Sequence, residues 1–178
     1  MADTAILLFA FGANEEIRSN QVLLKEALRC SKVNGVGTIF SQKAILTETN
    51  YWDENGKYYR VELFDQPDPS KHPPTLRIAR WAIFLAALDF RYERLIVIAA
   101  DPHIDRCMRD SLYVLSQLRA THYANIKIEP WVNAGEYTDQ DWFCADSTQL
   151  RTRTRVAWNK RESLLMKTPM WLYATMAG

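Results

Sequence analysis

The stretch that decides the fold starts at Glu93 with a buried strand, Leu95-Ile96-Val97-Ile98-Ala99-Ala100. It continues through Asp101-Pro102-His103 into a helix that ends near Leu118. The strand is apolar at every position, which is typical of parallel strands covered on both faces. The helix repeats apolar residues at steps of three and four, namely Ile104, Met108, Leu112, Leu115 and Leu118. Polar residues where such a strand turns into a helix mark the edge at which open α/β sheets bind ligands.

The rest of the chain alternates between strand and helix patterns. Strands are also predicted at 5–11, 36–40 and 58–64, and 126–128 with 131–132 gives one more strand. Helices are predicted around 23–28 and at 75–88, 103–118 and 149–166. This alternation predicts one domain over 1–178, with a three-layer, Rossmann-like α/β fold and helices on both faces of a mostly parallel sheet. Whether residues 58–64 join that sheet stays open.

Composition limits the classes of function. The 178 residues carry a net charge of +1, so no global field attracts nucleic acid, and none is expected as a partner. The apolar run 5–11 follows Asp3, lacks basic residues and is too short to span a bilayer, so no membrane association is expected. The cysteines are three in number and lack metal-ligand spacing. We expect reduced thiols in a cytoplasmic protein, with no metal site and no identifiable cofactor.

The turn after residues 95–100 holds the strongest candidate site. His103 titrates near neutral pH and is a candidate general acid or base, with Asp101 as its orienting partner. Arg106 lies one turn further on, at the positive end of the helix dipole, and Arg109 follows it; with free helix N–H groups they form an anion pocket. In an alternative that stays open, Asp101 only caps the helix, and His103 lies in its first turn without a functional role.

Gly12 and Asn14 form the opposite wall of this predicted pocket, and Ser41 is a further candidate ligand-binding residue. Gly12 and Asn14 follow the first strand, where a glycine lets a ligand approach the backbone. Ser41 ends the second strand. No G-x-G-x-x-G and no P-loop motif is present, so a standard dinucleotide finger is not predicted.

A dense basic cluster spans 151–161, with arginines at 151, 153, 155 and 161 and Lys160. On one helix, Arg151 and Arg155 would share a face. The cluster is interpreted either as a phosphate-binding site or as a solvated helix face, and the sequence leaves both interpretations open.

The chain resembles the SanA/YdcF-like family, small α/β proteins with a Rossmann-like sheet. The resemblance is carried by a strand followed by His-x-x-Arg, here Ile96 to Arg106, and by Thr75 opening the preceding helix. Arg161-Glu162, followed by Trp171 and Tyr173, is similar to the family's C-terminal ending. The resemblance implies that Thr75 contacts the ligand, and it makes S-adenosylmethionine a candidate for that ligand.

A second resemblance is to the pterin pyrophosphokinases of folate synthesis, which use ATP and magnesium and have a ferredoxin-like fold. Gly12-Ala13-Asn14 is similar to their Gly-Ser-Asn turn, and Pro102-His103-x-Asp105 with Arg109 is similar to their late Pro-His segment. Their Asp-x-Asp magnesium pair is missing here. The strong helical periodicity after His103 also fits that fold poorly.

The leading hypothesis is therefore a small-molecule-binding α/β enzyme that takes an anionic or nucleotide-like ligand at the carboxyl edge of the sheet. The pyrophosphokinase is one alternative. The other is a non-enzymatic binding or interaction module, which would use exposed Trp and Arg side chains from Asp139 onward. Oligomeric state is not predicted.

Overall fold

The computed structural model describes residues 3–12, 17–65, 73–88, 92–119, 125–133 and 135–177. Its strands are β1 (Asp3–Leu8), β2 (Thr38–Gln42), β3 (Asn50–Trp52), β4 (Tyr58–Phe64), β5 (Tyr92–Ile98) and β6 (Lys127–Pro130). Its helices are α1 (Arg18–Asn34), α2 (Thr75–Leu88), α3 (Ile104–Arg119), α4 (Asp139–Trp142), α5 (Arg155–Lys167) and α6 (Met170–Ala177). A 3-10 turn at Leu150–Thr152 precedes α5.

The strands form one mostly parallel sheet in the order β3-β4-β2-β1-β5-β6. Only β3, at one edge, runs antiparallel to its neighbour β4. The strand 58–64 does join the main sheet, where β4 pairs with β2. The chain order runs outward from β1 through β2 to β4, then reverses across β1 to β5 and β6. This reversal places a topological switch point between β1 and β5, where doubly wound sheets bind ligands.

Two apolar layers cover the sheet and confirm the predicted three-layer fold. Alternate side chains of β1 face opposite layers: Ala5 and Leu7 pack against α2, α3 and α6. Ile6 and Leu8 pack against α1 and against Trp142 of α4. These β1 side chains are fully buried, as expected for a central strand.

Several boundaries differ from the prediction for local reasons. Phe9, Phe11, Ala99 and Ala100 are buried and Ala10 is half-buried, but all five lie beyond the strand ends, because the chain already turns there. The predicted helix at 149–166 starts only at Arg155, since Thr154 caps α5 by accepting from the Ala157 N–H. Pro169 ends α5 as expected, but its carbonyl also accepts from Leu172 and Tyr173 and so starts α6, which the prediction missed.

The three cysteines are free thiols, as predicted. Cys30 and Cys107 are fully buried, and burial raises the pKa of Cys30 to about 12, so it packs as a small apolar side chain. Across the described ranges, no helix combines the length and apolar composition that crossing a bilayer requires.

Candidate functional site

A cavity of about 180 Å³ lies at the switch point, beside the carboxyl ends of β1 and β5. Its floor is residues 9–12, which follow β1, and its sides come from the starts of α2 and α3. The C-terminal third of the chain folds over this edge and closes the cavity with the 3-10 turn, α5 and α6. The site is therefore built by residues far apart in sequence.

Gly12 shapes the floor because neighbouring side chains approach its backbone closely. Its φ of 101° lies in the left-handed region, and a Cβ there would sit 2.5 Å from Ile17 Cδ1 and 3.0 Å from Ser147 Oγ. Ser147 Oγ and Thr152 Oγ1 are 2.8 Å apart and form a hydroxyl pair above the glycine. The small residue thus allows the loop before α5 to pack directly on the end of β1.

His103 is buried, 5% exposed, and both of its ring nitrogens face polar partners. Nδ1 lies 3.3 Å from Arg106 Nη2, and Nε2 lies 3.5 Å from Thr75 Oγ1. Since a guanidinium only donates, Nδ1 must accept, which assigns the ring proton to Nε2. Burial, and next the charges of Arg106 and Arg151, hold the pKa of His103 well below 6.5. The imidazole is therefore neutral at physiological pH.

Arg106 is held between a carboxylate and an aromatic ring. Its Nε lies 3.0 Å from a carboxylate oxygen of Glu162 on α5, and its guanidinium carbon lies 5.3 Å from the centre of the Trp158 ring. Trp158 also stacks edge-on against His103 and donates from Nε1 to the Pro102 carbonyl at 2.9 Å. These contacts hold α5 against the start of α3. Arg106 also lines the cavity.

Arg151 and Arg161 add two more guanidinium groups to the cavity lining. Arg151 is half-buried, and burial, followed by the charges of Arg161 and Arg106, lowers its pKa to about 10. Part of this shift comes from the charges of the two other arginines, and the nearby charge of Glu162 acts in the opposite direction. Among the described residues that line the cavity, none is a carboxylate. The site is therefore a concentration of positive charge in partly buried surroundings.

The N-terminus of α2 faces the same cavity. The Pro74 carbonyl accepts from the N–H groups of Arg77 and Ile78, which makes Pro74 the cap position. The N–H groups of Thr75 and Leu76 therefore precede the first intrahelical bond, at the positive end of the helix dipole. Thr75 lines the cavity. This helix end adds to the positive potential there.

Four predicted site residues converge on the cavity: Gly12, Thr75, His103 and Arg106. Three others lie outside its lining. Asp101 accepts from Asn133 Nδ2 at 2.7 Å and Trp142 Nε1 at 3.1 Å. Ser41 is buried and donates to the carbonyl of Gln42, and Arg109 binds Asp110 and the Leu165 carbonyl. Asn14 lies outside the described residues.

The arginines of the basic cluster lie in different elements and make different contacts, so they do not share one helix face. Arg151 lies in the 3-10 turn, whereas Arg155 begins α5 and pairs with Asp139 of α4. Arg153 is exposed and donates to the Ser147 carbonyl. Sequence reasoning missed Glu162 and Trp158 as parts of the site, and only the density of arginines hinted at this segment.

Comparison of the chain with protein-family models, with curated proteins and with solved structures finds no match. In the part of the chain that the structure describes, no group of three or more His, Cys, Asp or Glu side chains is arranged to hold a metal ion. The chemistry of the cavity is set by its arginines, its neutral histidine and the helix N-terminus.

Proposed function

We propose that the protein is a small-molecule-binding α/β enzyme that takes an anionic ligand at the switch point between β1 and β5. The observation that carries the proposal is the meeting of Arg106, Arg151 and Arg161 at one cavity whose described lining holds no carboxylate. Arg106 is buried and pairs with Glu162, Arg151 is half-buried, and Arg161 is exposed. Three positive charges gathered near this carboxylate repel one another, and an anion from solution relieves that repulsion. The charge of the lining thus favours binding of an anion.

A phosphate group suits this lining best. An arginine guanidinium group can donate two parallel hydrogen bonds to a phosphate. The N–H groups at the start of α2 are a second set of donors, of the kind that binds phosphate at helix N-termini. S-adenosylmethionine carries a sulfonium and an ammonium group, which guanidinium groups repel, against a single carboxylate that they attract. Within the class of anionic or nucleotide-like ligands, the charge of the cavity therefore favours one that bears phosphate.

The volume of the cavity favours a small ligand. Sites that enclose drug-sized molecules usually measure about 300–1,000 Å³, and this one measures about 180 Å³. A head group with a short body fits, and anything larger would extend into solvent. The SanA/YdcF-like resemblance remains the family hypothesis, and its His-x-x-Arg corresponds to the two residues, His103 and Arg106, that contact each other at the cavity.

His103 is the residue proposed for proton transfer. Its neutral ring holds Arg106 through Nδ1 and directs Nε2–H toward Thr75. The distance to Thr75 Oγ1 is long, so a ligand oxygen can compete for this proton. His103 thus donates a hydrogen bond to the bound anion while it positions Arg106.

A non-enzymatic binding protein is the second candidate. It is favoured by the engagement of both His103 nitrogens and by the depressed pKa, which makes the ring a poor proton acceptor at neutral pH. The pyrophosphokinase hypothesis has less support. A ferredoxin-like fold follows the order β-α-β-β-α-β, whereas this chain forms a sheet whose central strands are all parallel.

The proposal is tested by replacing Arg161 with Gln and, as a matched control, its neighbour Lys160 with Gln. Arg161 lines the cavity and Lys160 does not, although both are exposed on α5. Thermal unfolding is measured in rising inorganic phosphate, with sodium chloride at equal ionic strength as reference. Loss of one charge-assisted contact is expected to weaken phosphate binding roughly tenfold.

The expected result is a phosphate-induced rise in Tm for the wild type and Lys160→Gln that is clearly smaller for Arg161→Gln. Phosphate also stabilises proteins by exclusion from their surface, but that effect is shared by all three proteins. Equal rises in all three would overturn the anion site. Turnover of a panel of phosphate monoesters, lost in His103→Gln, then separates the enzyme from the binding protein.

A further inference from the structure

We infer that the anionic head group of the ligand carries an apolar body, so that the cavity takes a phosphate monoester of an aryl or short alkyl group. This inference rests on the proposed anion site and specifies what lies beyond the head group. It comes from the apolar residues that line the cavity together with the arginines.

The lining combines cationic and apolar residues. The three arginines come from α3, the 3-10 turn and α5. Apolar residues come from several elements, among them Leu165 of α5, Ile78 of α2, and Met176 and Ala177 of α6. Ile78 and Ala177 belong to one apolar cluster of the core, and Ile78, Ala177 and Met176 together are called the apolar wall below.

The apolar wall runs from the core to solvent. Ile78 and Ala177 are 3% and 5% exposed, whereas Met176 is 74% exposed and also lines the cavity. A polar ligand body would gain nothing from this wall and would lose water contacts to it. An apolar body would cover Met176, a flexible side chain that adapts to different shapes.

The cavity volume agrees with a compact body. An apolar cavity of about 150 Å³ admits benzene, and this one measures about 180 Å³. A ring or short alkyl chain can therefore lie against Ile78 and reach Met176 while the phosphate contacts the arginines. Any part of the body that extends out of the cavity would lie near Met176, which is exposed.

Titration calorimetry at pH 7.5 compares four probes: inorganic phosphate, glycerol phosphate, phenyl phosphate and butyl phosphate. The variant is Met176→Gln, and the matched control is Met166→Gln on α5, which is exposed but does not line the cavity. For the wild type, phenyl or butyl phosphate is expected to bind about tenfold tighter than glycerol phosphate, from the apolar area removed from water. Met176→Gln is expected to reduce this preference about threefold and Met166→Gln to leave it unchanged.

The outcomes separate this inference from the proposed function. Equal affinities for the three monoesters would overturn the inference and leave the anion site standing. A preference for apolar monoesters that Met176→Gln does not reduce would also overturn it, because the body would then lie elsewhere. A preference for phenyl over butyl phosphate supports it and narrows the body to a ring. Absence of binding by all four probes would overturn both.

Discussion

Replacement of Glu162 by Gln is expected to tighten anion binding while leaving the fold intact. Glu162 is the carboxylate that pairs with Arg106, and its side chain is 15% exposed. An incoming anion and this carboxylate therefore share one guanidinium group. In the wild type, Arg106 Nε donates to Glu162 Oε1 at 3.1 Å. Gln keeps an oxygen that can accept this hydrogen bond, so the substitution removes only the negative charge.

The gain in affinity follows from the repulsion that is removed. When a phosphate and a carboxylate flank the same guanidinium, their charges lie roughly 6 Å apart, and effective dielectric constants between about 20 and 80 give roughly 0.7–2.8 kcal/mol. This range corresponds to an affinity for phosphate that is about 3- to 100-fold higher in the variant. The lower end applies if the cavity is well hydrated.

The stability of the unliganded protein is expected to change little. Burial raises the pKa of Glu162, and the charge of Arg106 opposes this shift without cancelling it. A carboxyl group whose folded pKa is raised loses its stabilising contribution as pH rises through that pKa. The neutral amide avoids this desolvation cost but forgoes the attraction to Arg106, so we expect a net change within about 1 kcal/mol.

The assay is phosphate titration by calorimetry, with thermal unfolding as the measure of stability. Glu54→Gln, in an exposed turn, is the control for loss of one negative charge from the whole protein. Equal or weaker phosphate binding by Glu162→Gln, relative to Glu54→Gln, would refute the reasoning. It would mean that the anion does not use the guanidinium group of Arg106.

Three further predictions concern individual residues. Gly12→Ala is expected to lower the free energy of unfolding by about 2–4 kcal/mol, because Gly12 has a positive φ and close neighbours. The control Gly35→Ala has a positive φ but no atom within 4 Å of the added Cβ, and is expected to lower it by about 1 kcal/mol. Similar losses for the two variants in denaturant titrations would contradict the role given to packing at Gly12. Because the folded pKa of His103 is depressed, its contribution to stability is present above the unfolded pKa and is lost as pH falls. Between pH 7.5 and 5.5 the wild type should therefore lose more stability than His103→Gln, by at most about 1.4 kcal/mol, and parallel pH profiles would contradict a buried neutral ring. Asp101→Ala is expected to lower the free energy of unfolding by about 1–2 kcal/mol, because its hydrogen bonds are lost, and to leave the phosphate-induced rise in Tm unchanged. Loss of that rise would show that Asp101 contributes to anion binding.

The elements with clear periodicity could be predicted from the sequence. The strand at Tyr58–Phe64 and the helix at Thr75–Leu88 have the bounds that their patterns predict. The edge strand β3 has only three residues and depends on pairing with β4, so no local pattern indicates it. Helix α6 is apolar nearly all round and has no helical stripe to recognise.

The candidate site could be predicted in part: Gly12 and Thr75 are expected at strand and helix ends and do line the cavity, as do His103 and Arg106. His103 and Arg106 are three residues apart at one helix start, so their contact follows from helix geometry. Arg151 and Arg161 reach the same cavity because the chain after β6 folds back over the sheet edge. That path is fixed by long-range contacts such as Trp158 with the Pro102 carbonyl, and a single sequence does not display them.

The most direct test of the central claim is a crystal structure of the protein soaked in tungstate, an electron-dense analogue of phosphate, with an anomalous difference map. The account predicts the strongest peak inside the cavity, in contact with at least two of the guanidinium groups of Arg106, Arg151 and Arg161. Peaks confined to exposed cations such as Arg153, with none in the cavity, would contradict it.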